Sequence, residues 1–337
     1  MQYPRFVWQI FRRFSQLRHV AMGALLGASV LMQTPSVQAQ DANNTVRIIV
    51  GFPAGAGTDT LARIYADALG QLLGVNGIVE NRPGAGGLIA VHALARGPEN
   101  NNLVMMTIDH QVLMLPLILK DPGFDVKRDL APIARVMTFY TCLAVPGESP
   151  ARTLQEYVEL AKREARYANY GVPAPGSQAH FVGYVVGKHF GVDLQAVTYR
   201  GAAPAITDAL GNQVPAIIVP CDALTEHVKA GKLRVLGIAA DQRSPLLPDT
   251  PTFRELGITM PTDNFVAVYA SAKIDPALRD KLVKATEQMF RMPEVVERFN
   301  ATGMIANYGS PKELEDIWSR SIAFWAEQVR ESNFQAQ

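Results

Sequence analysis

The sequence of 337 residues holds only two cysteines, Cys142 and Cys221. Two distant cysteines in a large apolar chain either pair in an oxidising compartment or stay buried and unpaired, and the sequence leaves both readings open. No two histidines or cysteines have the spacing that is typical of metal ligands. We therefore expect neither a metal site nor a cofactor.

An excess of charge and long hydrophobic runs are also missing. Lysine and arginine total 32, aspartate and glutamate total 31, and the formal net charge is +1. This balance provides no basic surface for nucleic acid, which we exclude as a partner. Beyond the first 39 residues, no apolar run reaches the length of a transmembrane helix. We therefore expect the protein without that N-terminal segment to be soluble.

The N-terminal segment carries four arginines and no acidic residue before Asp41. The apolar run at residues 20–32 is too short to cross a bilayer as a stable helix. Val37-Gln38-Ala39 has the pattern of small residues that precedes a cleavage point. We predict that residues 1–39 are a secretory signal peptide and that the mature protein is periplasmic, with an N-terminal anchor as the alternative.

Motifs of catalysis and nucleotide binding are lacking as well. Gly176-Ser177-Gln178 has no second glycine of a G-x-S-x-G elbow, and no pairing of an acid with a histidine is evident. Gly55-Ala56-Gly57 lacks the third spaced glycine of a dinucleotide fingerprint, and no Gly-Lys-Ser/Thr phosphate loop occurs. These absences favour binding over chemistry.

The chain does contain a strand–loop–helix unit at residues 46–73. An apolar, β-branched run ends in Gly51, a loop of small residues follows, and Thr58 and Asp59 stand where a helix N-cap belongs. The first N–H groups of a helix are unpaired and its macrodipole is positive there, so the loop suits an anion. An ordinary βα turn has a similar sequence and remains the alternative.

Strands alternate with helices along the rest of the sequence. We predict a short strand from Ile78 and further strands at 103–107, 139–146, 167–172, 196–199, 216–219, 233–239 and 265–270. Helices are expected at 88–95, at 153–166, after His180, and at 276–291, 293–301 and 311–331. Residues 116–132 lose this periodicity. The alternation predicts an α/β fold with a mostly parallel sheet, in which ligands bind beyond the carboxyl ends of the strands.

Six motifs stand in a fixed order along the chain. They are residues 52–59 with Ala62-Arg63, residues 79–87, Gly176-Ser177 with His180, Tyr199-Arg200-Gly201 with Pro204-Ala205, Gly231-Lys232-Leu233-Arg234, and Pro248-Asp249-Thr250-Pro251-Thr252. In this order they resemble the Bug family of periplasmic solute-binding proteins, the extracytoplasmic receptors of tripartite tricarboxylate transporters. The resemblance covers nearly all of the mature chain.

The resemblance implies two α/β domains of the type II periplasmic binding protein kind, joined by a hinge with a ligand cleft between them. Domain 1 would comprise residues 40–138 and 241–337, and domain 2 residues 139–240. The implied function is capture of a small carboxylate (a di- or tricarboxylate, an amino acid or an aromatic acid) by a monomer that closes like a Venus flytrap. The implied partners are the membrane permease subunits of the transporter, or a sensor kinase.

Two other functions remain open. One is a periplasmic enzyme that acts on a carboxylate through Ser177 or His180, and the other is a binding protein that serves only signalling.

Thirteen residues are expected to bind the ligand: Ala54, Gly55, Ala56, Gly57, Thr58, Asp59, Thr107, Asp109, Ser177, His180, Tyr199, Gly201 and Asp222. Backbone N–H groups of residues 54–59 would hold one carboxylate. Asp59 itself is expected to cap the helix and fix the loop. Ser177 either donates to a second carboxylate or caps a helix, and His180 either contacts ligand or is structural.

Arg82 has a structural interpretation, and Ala56 and Asp109-His110 depart from the family pattern. Arg82 beside Glu80 is expected to be an ion-paired scaffold residue. Ala56 stands where the family has a second glycine, which questions any requirement for positive φ there. Asp109-His110 stands where the family more often has small hydroxyl or Asn residues, which raises the question of a different ligand.

Overall fold

The computed structural model describes residues 44–99, 102–244, 246–262 and 264–335. The predicted signal peptide, residues 1–39, lies outside these ranges. Within them the chain alternates strands and helices, as predicted, and no helix of this part is long and apolar enough to cross a membrane.

Six strands form a first sheet: β1 (Thr45–Val50), β2 (Asn76–Asn81), β3 (Leu103–Ile108), β4 (Leu130–Phe139), β10 (Asn264–Ser271) and β11 (Ile305–Gly309). Their spatial order is β11-β4-β10-β3-β1-β2. β1 pairs with β2 and β3 in parallel, whereas β10 runs antiparallel to β3 and β4. We call this sheet and the helices packed on it the first lobe.

Five strands form a second sheet: β5 (Thr141–Pro146), β6 (Asn169–Val172), β7 (Gln195–Thr198), β8 (Ile217–Pro220) and β9 (Leu233–Ala239). Their order is β7-β6-β8-β5-β9, with β6 parallel to β7 and β8 and β5 antiparallel to β8 and β9. We call this sheet and its helices the second lobe. Both sheets are therefore mixed, which corrects the expectation of a mostly parallel sheet.

Eleven α-helices lie in the described ranges: α1 (Gly57–Leu73), α2 (Leu88–Ala95), α3 (Leu115–Ile118), α4 (Val126–Asp129), α5 (Leu154–Arg163), α6 (Gln178–Phe190), α7 (Ala202–Leu210), α8 (Thr225–Lys229), α9 (Pro276–Met289), α10 (Pro293–Asn300) and α11 (Pro311–Glu331). The three predicted C-terminal helices are confirmed as α9, α10 and α11. Each begins with a proline, whose missing N–H costs nothing at a first helical position.

The two faces of β1 bury different helices. Ile48 and Val50 pack in the cluster that contains Leu61 and Tyr65 of α1, whereas Ile49 packs in the cluster that contains Val91 of α2. Successive side chains of a strand point to opposite faces, so α1 and α2 lie on opposite faces of the first sheet.

Helix α11 touches both lobes. Leu314, near its start, packs in the first-lobe cluster with residues of β3 and β10. Trp325, one of its fully buried residues, packs in the cluster that contains Leu143 of β5 and Tyr170 of β6. Beyond the helix, Phe334 contacts His180 and Phe181 edge-on. The last part of the chain therefore leaves the first lobe and ends on the second.

The prediction of one strand at 139–146 is wrong at its boundary. β4 ends at Phe139 in the first sheet, Tyr140 follows, and β5 begins at Thr141 in the second sheet. β4 itself was not predicted, because Pro132 and Arg135 interrupt an apolar segment and a proline argues against a central strand. β11 was missed because it is a partly exposed edge strand that contains Asn307.

Cys142 and Cys221 form a disulfide, which settles the choice that the sequence left open. The bridge joins β5 to the turn after β8, across a separation of 79 residues. In the chain-entropy model, closing a loop of that length in the unfolded chain stabilises the fold by about 4 kcal/mol. Both half-cystines lie in the second lobe, so the bridge does not tie the lobes together.

Candidate functional site

The first sheet has a topological switch point between β1 and β3. β1 continues through α1 to β2 on one side, whereas β3 lies on the other side of β1, and α1 and α2 cover opposite faces. In open α/β sheets such a reversal leaves a crevice beyond the carboxyl ends of the two strands, where ligands bind. Three loops meet at this edge, after β1, β2 and β3.

The loop after β1 leads into α1 with no side-chain cap. The N-cap residue is Ala56, in extended conformation with φ −69° and ψ 158°, and the helix begins at Gly57. The prediction that Thr58 or Asp59 caps the helix is therefore wrong, because both lie in its first turn. The positive φ of the loop falls on Gly55, at 84°, so alanine at position 56 is unstrained.

Asp59 fixes the loop from within the helix. Its carboxylate accepts from the N–H of Gly55 at 2.9 Å, from Asn81 Nδ2 at 2.9 Å and from Arg63 at 3.0 and 3.1 Å. Burial raises its pKa, but the bonds from Arg63, Gly55 and Asn81 together hold the pKa of Asp59 below its ordinary value. The expected loop-fixing role of Asp59 is confirmed.

These bonds decide which loop N–H groups remain for a ligand. Gly55 donates to Asp59 and Ala56 donates to the carbonyl of Pro53 at 3.2 Å. The N–H groups of Gly57, Thr58 and Asp59 are the first three of α1 and have no acceptor within the helix. The anion site expected over residues 54–59 therefore narrows to the first turn of α1.

The loop after β2 is held rigidly beside the first. Asn81 donates to the carbonyl of Phe52 at 3.1 Å as well as to Asp59. Arg82 donates to Glu80, which also pairs with Arg47, so the scaffold reading of Arg82 is confirmed. Residues 84–87 all have positive φ.

The loop after β3 carries three consecutive polar side chains: Asp109 and Gln111 are buried, and His110 between them is half-buried. Asp109 is 3 % exposed, and burial outweighs the N–H groups of His110 and Phe265 that it accepts, which raises the pKa of Asp109 to about 7. Burial lowers the pKa of His110 to about 4. From His110 to Met114 the backbone makes a π-helical turn, a rare form that is frequent at functional sites.

Thr107, expected to bind ligand, is fully buried, and its hydroxyl donates to the side-chain oxygen of Gln111. The structure therefore does not present the Thr107 hydroxyl to a ligand. Sequence reasoning missed Gln111, because a polar residue in a helical turn carries no functional signal by itself.

In the second lobe, Ser177 caps α6. Its hydroxyl oxygen accepts from the N–H of His180 at 3.4 Å and the hydroxyl donates to the carbonyl of Ala174 at 2.9 Å. His180 accepts at Nδ1 from the N–H of Gly176, and burial lowers the pKa of His180 to about 4. These contacts support two of the alternatives that the sequence left open: Ser177 as a helix cap and His180 as a structural residue.

Helix α7 packs on the opposite face of the second sheet from α6, and like α1 it has no side-chain cap. Its N-cap is Gly201, with φ 107°, whose N–H donates to the carbonyl of Pro173 at 2.8 Å and so joins the loops after β6 and β7. Tyr199, expected to donate in the cleft, instead gives its hydroxyl to Asp208 at 2.8 Å. A pocket of about 600 Å³ that Tyr199 lines lies at the amino ends of β6 and β8, away from the ligand edge.

Asp222 lies where the two lobes touch. A methyl group built on Gly303, in the turn between α10 and β11, would sit 3.3 Å from Cβ of Asp222. Met304 of the same turn lies near Gly57, 3.5 Å from a methyl group placed there. Burial raises the pKa of Asp222. Nothing in the sequence predicted that this turn would lie against both the start of α1 and Asp222.

Comparison with known proteins gives a consistent family. The model of the tripartite tricarboxylate transporter family receptor matches residues 61–333. Protein BugT of Bordetella pertussis is 29 % identical over 289 residues, covering 85 % of this chain and 89 % of BugT. A protein encoded beside gbd in Cupriavidus necator is 29 % identical and covers 91 % of this chain and 95 % of its own length.

Solved structures agree with the sequence relatives. The TctC solute-binding protein from Polaromonas superposes with a TM-score of 0.73 at 25 % identity, covering 85 % of this chain and 98 % of that one. The periplasmic binding protein BugD gives 0.73 at 27 % identity, with 87 % and 99 % covered. The expected fold of two α/β lobes is confirmed. The chain belongs to the tripartite tricarboxylate transporter receptor family.

Proposed function

We propose that the protein is a periplasmic receptor whose two lobes close on a small carboxylate and deliver it to the permease subunits of a tripartite tricarboxylate transporter. The observation that carries this proposal is the uncapped first turn of α1 at the switch point. Ala56 cannot cap the helix and the nearby carboxylate of Asp59 is already bonded to Gly55, Arg63 and Asn81. The remaining N–H groups suit an oxyanion.

The second lobe supplies a similar arrangement. Helix α7 begins at Ala202 behind Gly201, which has no side chain to cap it, and α6 begins close by after Ser177. Two more distant structures of the same fold, both from Rhodopseudomonas palustris at 24 % and 22 % identity, are described with adipate and malate bound. We propose that one carboxylate lies at α1 and that the rest of the ligand reaches the second lobe.

The division into moving parts follows the sheets. We propose that the two expected domains move against each other about Tyr140 and the segment before β10. Phe139 belongs to β4 of the first sheet and Phe253 packs in the second-lobe cluster, so the bounds expected at 139 and 241 shift to Tyr140 and toward β10. Because Leu314 of α11 packs on the first lobe and Trp325 of α11 packs on the second, closure would move one end of the helix relative to the lobe that it packs on. A monomer with these two domains is sufficient for the proposed action.

Catalysis has less support. Ser177 and His180 are engaged as cap and loop anchor, and the hydroxyl of Ser177 donates to Ala174 rather than to a base. Signalling without transport differs from the leading proposal only in the partner. Capture of permease subunits by the ligand-loaded protein, set against capture of a sensor kinase, separates the two.

A substitution at Gly57 tests the site. Gly57→Pro removes one donor N–H at a position where proline is tolerated, and Ala56 already has the extended conformation that precedes proline. We expect carboxylates to bind the variant about tenfold or more weakly by calorimetry, with little change in melting temperature, because a charge-assisted hydrogen bond is lost.

Gly57→Ala is the matched control, since it keeps the N–H and adds only a methyl group. Both variants should be compared with the wild type against mono-, di- and tricarboxylates, amino acids and aromatic acids. Failure of the whole panel to stabilise the wild type, or equal affinity in the proline variant, would count against the proposal.

A further inference from the structure

Beside the switch-point crevice, the side-chain amide of Gln111 is buried and its NH₂ group is unpaired within the described part of the chain. Gln111 is fully buried, and among the described residues its Nε2 has no hydrogen-bond partner. The amide lies between the end of β1 and the start of α2: a methyl group would be 2.1 Å from Nε2 if built on Gly51 and 1.6 Å if built on Gly87. It fits there only because both positions are glycine, and the φ of 98° at Gly87 also disfavours any other residue.

The orientation of this amide is fixed. Its oxygen, Oε1, accepts from the hydroxyl of Thr107 and from the N–H of Ile108 at 3.3 Å. Turning the amide over would place its NH₂ group against the N–H of Ile108, which can only donate. Nε2 therefore lies on the side of the amide that faces Gly51 and Gly87, in the loops that border the crevice, and Thr107 acts as its positioning residue.

An amide donor buried without an acceptor is costly, so its presence needs an explanation, and a ligand that supplies the acceptor is one. The surroundings indicate which acceptor. The arginines of the neighbouring loops are already paired, Arg63 with Asp59 and Arg82 with Glu80. His110, next to Gln111, is neutral above pH 5 because burial lowers its pKa to about 4. A second carboxylate at this point would meet no compensating charge, whereas a neutral oxygen needs none.

We propose that Gln111 is a specificity-determining residue that donates from Nε2 to a hydroxyl or carbonyl oxygen of the bound carboxylate. The ligand would then be a hydroxy- or oxo-carboxylate, with its carboxylate at the first turn of α1 and its neutral oxygen in the switch-point crevice. This inference rests on the proposed function, because the carboxylate at α1 must hold the ligand where its neutral oxygen reaches Gln111.

Matched pairs of ligands test the inference. Malate against succinate, lactate against propionate and 2-oxoglutarate against glutarate differ in the neutral oxygen only. In the wild type we expect the oxygenated member of at least one pair to bind about tenfold or more tightly by calorimetry. In Gln111→Met, which keeps the length and removes the donor, that preference should disappear while the plain carboxylate keeps its affinity.

Three further variants make the result specific. Gln328→Met removes another buried amide, on α11, and should leave the preference unchanged. Thr107→Val should reduce the preference by freeing the amide, and Thr107→Ser should restore it. If the wild type binds carboxylates without any such preference, or the preference survives in Gln111→Met, the inference fails and the proposed function stands. If the wild type binds no carboxylate at all, both fail.

Discussion

Asp109, His110 and Gln111 show what a single residue contributes when it is buried without a full set of partners. The sequence drew attention to Asp109 and His110 because they depart from the family pattern, but it did not reveal that all three side chains have an unsatisfied buried atom. That property depends on Gly51, Gly87 and Phe265, which are far away in the sequence. Composition and spacing contain no information on such contacts.

The pH dependence of stability should reveal Asp109. Its pKa is about 7 in the folded protein and about 4 in an unfolded chain. The folded state therefore holds a proton that the unfolded state has lost between these values, and the contribution of Asp109 to the free energy of unfolding decreases as pH rises from about 4 to 7. Asp109→Asn has no such proton, so relative to the wild type it should gain roughly 2–4 kcal/mol between pH 4 and pH 8.

Urea unfolding of both proteins across this range measures the difference. His110 has the opposite effect, since its lowered pKa makes its contribution increase from about pH 4 to 6.5, but it is present in both proteins and cancels. A difference that does not vary with pH would show that Asp109 is ionised in the folded state.

At the scale of helices and strands, the sequence predicted elements with strong local signals. Thr153 caps α5 and Pro311 opens α11, as expected, because caps and N-terminal prolines are decided within a few residues. β4, β11 and the exact start of α1 were not predicted. Their placement depends on pairing with distant strands and, for α1, on the extended conformation of Ala56, which favours no residue type.

Helix α11 packs on both lobes, so its loss should destabilise both. Trp325 is fully buried against β5 and β6, so Trp325→Ala should lower the free energy of unfolding by about 3–5 kcal/mol. Phe324→Ala, which removes a partly exposed ring from the same turn, is the control and should cost much less. Chemical unfolding monitored by circular dichroism measures both. Equal effects of the two substitutions would contradict the docking of α11 on the second lobe.

For the molecule as a whole, the two lobes are joined at Tyr140, in the segment before β10 and by α11. They also touch at Gly303 and Asp222, which belong to different lobes. Lobe-level organisation was predictable because the family motifs run through both halves. The touching turn was not, since its closeness to Asp222 exists only in the assembled fold.

A disulfide lock tests whether this contact belongs to the ligand-holding state. In a Cys142→Ala/Cys221→Ala background, Gly303→Cys with Asp222→Cys places two Cβ atoms about as close as a disulfide requires, roughly 3.5–4.5 Å. Oxidation should slow ligand release about tenfold or more, and reduction should restore it; stopped-flow exchange measures both. Unchanged release after complete oxidation would show that the lobes need not separate there for the ligand to leave.

Because α11 packs on both lobes, the tryptophans of this helix can report on both lobes by fluorescence. Of its three tryptophans, Trp8 falls in the predicted signal peptide, while Trp318 and Trp325 both lie on this helix. Trp318 donates its indole N–H to the carbonyl of Val112 in the first lobe, and Trp325 is buried in the second. Once the predicted signal peptide is removed, tryptophan fluorescence comes from one helix with an emitter at each lobe, so the closure that we propose can be followed without a label.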